Sequence, residues 1–131
     1  MMFVMALSAD QKLDNHRRYA EAVNLGAVDT VLALLAPGAT TWHNFDDATA
    51  PLADAFAGLG WMHKKVSGLR WDTRAVLVTE DGWVWEAVIR GTAPHGELAA
   101  NTCMVVRLDA DGRIASLDEY IDPAAMKPLR G

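Results

Sequence analysis

One carboxylate, Glu119, falls on an otherwise apolar face of a predicted strand near the end of the chain. In the segment 113–121, Leu117 and Ile121 flank Glu119 at two-residue spacing, and polar residues occupy the positions between them. Because burial disfavours the charged form of a carboxyl group, a glutamate in such a place is suited to general acid or base catalysis. A register shifted by one residue would instead place Glu119 in solvent.

Two histidines are further candidates, because imidazole titrates near neutral pH. His43 lies in a predicted strand over residues 39–45, with Asn44 on the opposite face, so the register decides which side chain points inward. His63 lies on the apolar face of a predicted helix, where a buried histidine making one structural hydrogen bond is the more frequent case. The histidines and acids lack the paired spacing of metal motifs, so no metal site is predicted.

The elements that hold these side chains are helices first and strands afterwards. Ser8 and Gln11 form a capping-box pattern at the start of a first helix, which Gly26 ends. Further helices are predicted over about residues 27–35 and 51–67. From residue 69 the hydrophobic period is two, which predicts strands near 69–79, 83–92, 98–108 and 113–121. This order is typical of an α+β fold with three helices packed on one face of a curved mixed or antiparallel sheet.

Composition limits the classes of function. The 131 residues fit a single domain, 1–131, and the net charge of −5 with scattered basic residues argues against nucleic-acid binding. No apolar run approaches the length of a membrane span, so no membrane partner is expected. Residues 1–8 are expected to be a short leader without fixed structure. They lack the basic start of a secretory signal, which favours a cytoplasmic location.

The run RRYAEAVNLGAVDTVLALLAPGATTWHN, residues 17–44, resembles the opening of the SnoaL-like polyketide cyclase and ketosteroid isomerase group of the nuclear transport factor 2-like superfamily. Asn24, Gly26 and Asp29 fall at matching positions, and the similarity reappears in GTAPHGEL and DADGRIASLDEYIDP. The resemblance covers about residues 10–126. It implies a cystatin-like, cone-shaped α+β barrel whose cavity holds a small apolar molecule without a cofactor.

The resemblance also implies roles for individual side chains. Tyr19 falls where the isomerases place an oxyanion-donating tyrosine. The general base of the isomerases falls on His43 in an ungapped match, or on Asn44 after a one-residue shift. Glu119 falls where SnoaL-like cyclases and limonene epoxide hydrolases place a working carboxylate. We therefore expect His43, Glu119 and Tyr19 to be the catalytic residues.

Two departures limit this transfer of function. Met104 occupies the position of the second oxyanion donor of the isomerases and cannot donate a hydrogen bond, and Thr102 is only a weak substitute. The same two residues stand where the epoxide hydrolases have an Arg-x-Asp pair. Steroid isomerisation and epoxide hydrolysis by those mechanisms are therefore not expected.

The remaining predicted contacts with a ligand are mostly aromatic and apolar, and Trp83 and Trp85 share one strand face as a flat wall. The full set of predicted substrate-binding residues is Trp42, Asn44, Phe56, His63, Trp83, Trp85, Thr102 and Met104. On the opposite sheet face an apolar patch is expected, formed by Val76, Val78, Val84, Val88, Cys103 and Val105. Such a patch favours the homodimer that the superfamily resemblance implies.

Three functions remain open at this point. The leading hypothesis is a small cofactor-free enzyme that moves a proton on an apolar cyclic carbonyl compound, by isomerisation, aldol-type cyclisation or dehydration. The second is a non-catalytic module that binds a small molecule or mainly dimerises. The third, a protein-docking sheet as in nuclear transport factor 2, has little support from the scattered surface charge.

Overall fold

The protein is described by a computed structural model that covers residues 6–131. Within that range the helices are α1 (Ala9–Leu25), α2 (Val28–Ala33), α3 (Leu52–Ala55), α4 (Leu59–Lys65) and α5 (Lys127–Arg130). The strands are β1 (Leu35–His43), β2 (Ala48–Pro51), β3 (Ser67–Val78), β4 (Gly82–Ala93), β5 (Gly96–Leu108) and β6 (Ile114–Ile121). Short 3-10 turns, Phe56–Gly58 and Pro123–Met126, precede α4 and α5.

The six strands form one curved sheet in the order β2-β1-β6-β5-β4-β3. The β1–β6 pair is parallel, and all other neighbours are antiparallel. The α+β class with helices on a mixed sheet is confirmed. The expected barrel is not closed, because β2 and β3 remain at the two edges of the sheet.

The first helix follows its sequence signals. The Ser8 hydroxyl accepts from the Gln11 backbone N–H at 3.1 Å, and the Gln11 side chain accepts from the Ser8 N–H at 2.8 Å. Gly26 ends the helix in the left-handed conformation. Ser8, expected within the leader, therefore belongs to the folded domain; the expectation for residues 1–5 lies outside the described residues.

The inner face of the sheet follows the predicted two-residue alternation. Trp83, Trp85, Met104 and Leu117 are buried on it, and α1 covers part of it with Tyr19. Asp122 caps the terminal 3-10 turn by accepting from the Ala124 N–H, as its Asp-Pro sequence indicates.

The connection between α2 and β1 differs from the prediction. The predicted helix over about residues 27–35 ends earlier, at Ala33, and the predicted strand over 39–45 begins earlier, so that Pro37 and Gly38 lie inside β1. The register of β1 against β6 shifts between Leu35 and Thr40, and Gly38 has a φ of 74° there. An irregularity of this kind admits a proline within a strand, because the ladder is already interrupted.

The predicted third helix, over 51–67, is broken into α3, a 3-10 turn and α4. Gly58 and Gly60 lie at and just after the break, and glycine weakens a helix interior. The short hairpin strand β2 was not predicted, since all four of its residues are exposed and carry no alternation.

The outer apolar patch is smaller than expected. A register shift between Thr73 and Ala75 pairs Val76 with Trp85 and Val78 with Trp83, which turns both valines toward the inner face. Leu77 points outward instead and is 54% exposed. No helix within residues 6–131 is long and apolar enough to cross a membrane.

Candidate functional site

A cavity of about 300 Å³ opens between the inner face of the sheet and the helices that cover it. Its wall is largely apolar and includes four aromatic side chains. The lining residues are Tyr19, Val23, Thr41, His43, Leu52, Ala55, Phe56, Gly58, Leu59, Trp61, Met62, Trp71, Met104, Leu117, Glu119 and Leu129. A few polar groups in an apolar wall are typical of a small-molecule site.

His43 and Glu119 form a pair on this wall. The parallel β1–β6 register sets them opposite one another, and His43 Nε2 lies 3.3 Å from Glu119 Oε1. The second carboxylate oxygen accepts a hydrogen bond of 2.7 Å from the Thr102 hydroxyl, which is buried on β5. The His43 and Glu119 side chains are only 25% and 16% exposed, so solvent screens their interaction weakly.

The structure also shows which of the two candidate residues at the end of β1, His43 or Asn44, faces the cavity. His43 lines the cavity, whereas Asn44 is exposed and its side-chain oxygen accepts from the Ile121 backbone N–H at 2.9 Å. Asn44 therefore joins the ends of β1 and β6 and does not line the cavity.

The charge of the pair depends on its environment. The hydrogen bond to Glu119 raises the pKa of His43; partial burial opposes this rise, and the negative charges of Glu119 and Asp46 add to it. An imidazole that gains protons readily beside a carboxylate is equipped to accept a proton and hold the resulting positive charge.

Tyr19 supplies a hydroxyl group inside the cavity. The residue is 2% exposed, and its hydroxyl donates only to the Met104 sulfur at 3.8 Å. Burial, with the negative charge of Glu119 as a smaller cause, raises the pKa of Tyr19 far above its ordinary value. The phenol therefore stays protonated, and its weak thioether contact can be exchanged for a better acceptor.

Of the predicted ligand contacts, Phe56 and Met104 line the cavity, while Trp42 and His63 do not. Trp42 points to the other side of β1, where its indole N–H donates to Asp47 at 2.8 Å. His63 lies 2.9 Å from the Val23 carbonyl oxygen through Nε2 and therefore joins α4 to α1.

Trp83 and Trp85 lie behind the cavity and not in its wall. Both are fully buried, and their ring centroids lie 5.4 and 6.0 Å from that of Tyr19. Thr102 also lies outside the lining and acts on the cavity through its hydrogen bond to Glu119.

The sequence did not single out Trp71 and Trp61 as site residues. Trp71 is buried on β3 two positions after buried Leu69, so strand alternation could have indicated its inward direction. Trp61 lies on α4, is 50% exposed and lines the cavity. Within residues 6–131, no three His, Cys, Asp or Glu side chains are grouped as metal ligands would be.

Solved structures of the same fold come from several kinds of protein. PrhC from Penicillium brasilianum aligns with a TM-score of 0.79 at 11% identity, over 92% of this chain and 85% of that one. A protein called a SnoaL-like polyketide cyclase, from Shewanella denitrificans, aligns with a TM-score of 0.76 at 12% identity, over 93% and 97%. An LEH-like epoxide hydrolase from M. tuberculosis aligns with a TM-score of 0.72 at 20% identity, over 92% and 90%.

At these identities the structures establish the fold alone. No curated protein sequence matches the chain. Residues 16–117 match the SnoaL-like domain family. Since that span is most of the chain, the protein belongs to the SnoaL-like domain family.

Proposed function

We propose that this protein is a cofactor-independent enzyme that transfers a proton on a small, apolar, cyclic carbonyl compound. The observation that supports it best is the His43–Glu119 pair, which shares one apolar cavity with the buried Tyr19 hydroxyl. A base and a hydrogen-bond donor are the two groups that enolate chemistry requires.

In the proposed reaction, His43 removes a proton from the carbon next to the carbonyl group. Glu119 accepts from the Nε2–H of the ring, which leaves the lone pair on Nδ1 to take the proton. The carboxylate then stabilises the imidazolium, and Thr102 holds the carboxylate through its other oxygen. Tyr19 donates to the enolate oxygen. Return of the proton to a different carbon completes an isomerisation. In a cyclisation the enolate carbon attacks a second carbonyl group of the substrate and the proton goes to the alkoxide oxygen formed there, and in a dehydration the enolate expels a β-hydroxyl group, which takes the proton and leaves as water.

The size of the cavity limits the substrate. A volume of about 300 Å³ is at the lower end of the range for small-molecule sites. One or two fused rings with few polar substituents match the largely apolar wall, which offers a ligand few hydrogen bonds.

The test is exchange of hydrogen for deuterium next to the carbonyl of small cyclic ketones in D₂O, with 1-indanone as the first probe and mass spectrometry as the readout. Wild-type protein should accelerate the exchange, and His43→Gln and Glu119→Gln should lower the rate by about 10²- to 10⁴-fold, the usual contribution of a general base. Trp42→Phe, outside the cavity, is the matched control and should keep full activity. Unchanged exchange in Glu119→Gln would contradict the role of the pair.

A non-catalytic binding module is the second candidate. It is favoured by Met104, whose sulfur lies against the Tyr19 hydroxyl in a family position where the isomerases carry a donor. Titration of 1-indanone against tryptophan fluorescence separates the two functions, because Trp61 and Trp71 line the cavity and report on its occupant. Tight binding without any deuterium exchange would favour the binder.

We also propose that the outer sheet face forms a homodimer. Val84 and Val105 are neighbours across β4 and β5 on this face, and Leu77 adjoins Val84 on β3. Sedimentation equilibrium should give twice the chain mass, and Val105→Lys should shift it toward the monomer. A monomeric wild type would overturn this proposal without affecting the proposed chemistry.

A further inference from the structure

The His43–Glu119 pair lies where the parallel pairing of β1 with β6 ends. After the irregularity in β1, consecutive pairs run from Thr40 with Ser116 to His43 with Glu119, and β1 ends at His43. The other neighbour of β1 is the short, exposed strand β2. The terminal pairs of a ladder open more easily than its interior, and parallel pairing is slightly weaker per residue than antiparallel pairing. The separation of the pair therefore depends on contacts just beyond the ladder.

Asn44, the residue after β1, makes such contacts with β6. Its backbone N–H donates to the Glu119 carbonyl at 3.2 Å, and its side-chain oxygen accepts from the Ile121 N–H at 2.9 Å. In a regular parallel ladder, the backbone N–H and C=O of one residue bond to two residues of the neighbouring strand. Here the side-chain oxygen of Asn44 takes the place of its backbone carbonyl. The chain can therefore turn away, with the Asp47 N–H donating to the His43 carbonyl at 3.0 Å, while β6 stays bonded beyond Glu119.

A second side chain of β1 bonds to β6 on the other side of Glu119. The buried Thr41 hydroxyl donates to the Leu117 carbonyl at 2.9 Å. Leu117 and Ile121 lie two positions before and after Glu119, so side chains of the β1 segment hold β6 on both sides of the carboxylate. Thr41 lines the cavity, whereas Asn44 is exposed and does not. Substitution of Asn44 therefore tests this bracing without changing the cavity wall.

We infer that Asn44 is a positioning residue for the proposed reaction, because its bonds to Glu119 and Ile121 hold the Glu119 carboxylate against the His43 ring. This inference rests on the proposed function and adds to it a residue outside the cavity. Loss of the side-chain acceptor frees the end of β6 to move relative to His43. A displacement of about 1 Å in a reacting group can lower a rate by about 10²-fold.

The first test measures deuterium exchange of 1-indanone in two variants of Asn44. Asn44→Ala removes the acceptor and should lower kcat by about ten- to a hundredfold with KM unchanged. Asn44→Asp keeps an acceptor oxygen and should restore the wild-type kcat. Trp42→Phe is the matched control, because it removes a hydrogen bond to Asp47 in the same turn while keeping a ring beside Tyr120. It should leave kcat unchanged.

The second test does not require catalysis. The hydrogen bond to Glu119 is the main cause that raises the pKa of His43, and the charges of Glu119 and Asp46 add to it. In Asn44→Ala this hydrogen bond loosens while Asp46 stays in place. The pKa of His43, followed by NMR titration of its ring protons, should therefore fall toward its ordinary value. In Trp42→Phe it should stay at the wild-type value.

Hydrogen exchange in the wild type gives a readout that needs no variant. The Ile121 backbone amide should exchange slowly, as hydrogen-bonded amides inside the sheet do. An unprotected Ile121 amide, an unchanged pKa of His43 in Asn44→Ala, or equal slowing in the alanine and aspartate variants would overturn the inference.

The two proposals fail separately. A wild type that does not exchange 1-indanone contradicts the enzyme, whereas a lowered pKa of His43 in Asn44→Ala still supports the role of Asn44 in holding the pair. Wild-type exchange that persists undiminished in Asn44→Ala contradicts the positioning role alone.

Discussion

Replacing Tyr19 by phenylalanine should leave the fold nearly as stable as the wild type while removing most of the proposed activity. The hydroxyl has one weak partner, the Met104 sulfur at 3.8 Å. A hydrogen bond of ordinary geometry contributes about 1 kcal/mol to stability, and a long contact to a thioether contributes less. We therefore expect the free energy of unfolding to fall by less than about 1 kcal/mol.

The ring is expected to keep its packing in this variant. Its centroid lies 6.0 Å from that of Phe56, 5.4 Å from that of Trp83 and 6.0 Å from that of Trp85, and none of these contacts involves the hydroxyl. Tyr19→Leu is the matched control, because it loses the aromatic contacts as well. It should destabilise the protein by about 2 kcal/mol or more.

The effect on rate should be much larger than the effect on stability. Loss of one donor to a developing oxyanion typically lowers the rate by about 10²- to 10³-fold, which corresponds to about 2.7–4 kcal/mol. Urea denaturation gives the stability, and deuterium exchange of 1-indanone gives the rate. A phenylalanine variant that loses more than about 2 kcal/mol of stability with its exchange rate intact would refute this reasoning.

Further predictions concern pH and backbone conformation. Because the pKa of His43 is raised, its pairing with Glu119 stabilises the fold below about pH 6.5, and this contribution is lost as the pH rises through the folded-state pKa. The difference in free energy of unfolding between wild type and His43→Gln, measured in urea, should therefore shrink as the pH rises. Burial lowers the pKa of His16, so the unfolded chain binds more protons than the folded one below about pH 6.5, and stability falls on acidification. The His16→Phe variant should therefore lose less stability than wild type between about pH 7 and 5, and an equal loss would contradict this prediction. Gly26→Ala should lower the free energy of unfolding by more than about 1 kcal/mol, because the φ of 68° is strained for alanine and the new Cβ would clash with His63. Thermal denaturation of the variant and the wild type measures this loss.

The sequence predicted the inner face of the late strands well because a two-residue period is a local property. On β4, β5 and β6 the pattern turns Trp83, Trp85, Met104 and Glu119 inward, as observed. It could not show that the indoles of Trp83 and Trp85 lie behind Tyr19, since depth within a core depends on what α1 places in front of them.

Strand irregularities account for most of what the sequence missed. The shift after Thr73 reverses the faces of Val76 and Val78, and the shift after Leu35 admits Pro37 into a strand. Neither register shift can be read from the sequence, because the residues around it show the same pattern as an ordinary turn or a regular strand. The sequence could not predict that His43 points inward, because the alternation within residues 39–45 fits either face equally. The pairing of β1 with β6 determines the direction.

The parallel pairing of β1 with β6 has a consequence for how the protein folds. Residues 76 positions apart, such as Thr41 and Leu117, meet there, so the histidine–carboxylate pair forms only when a long chain loop closes. A ribosome-bound chain whose last strand, β6, is still inside the exit tunnel therefore has helices α1–α4 and His43 outside, but lacks Glu119 beside that histidine. The proposed catalytic pair therefore forms late in folding, in the same step that completes the sheet.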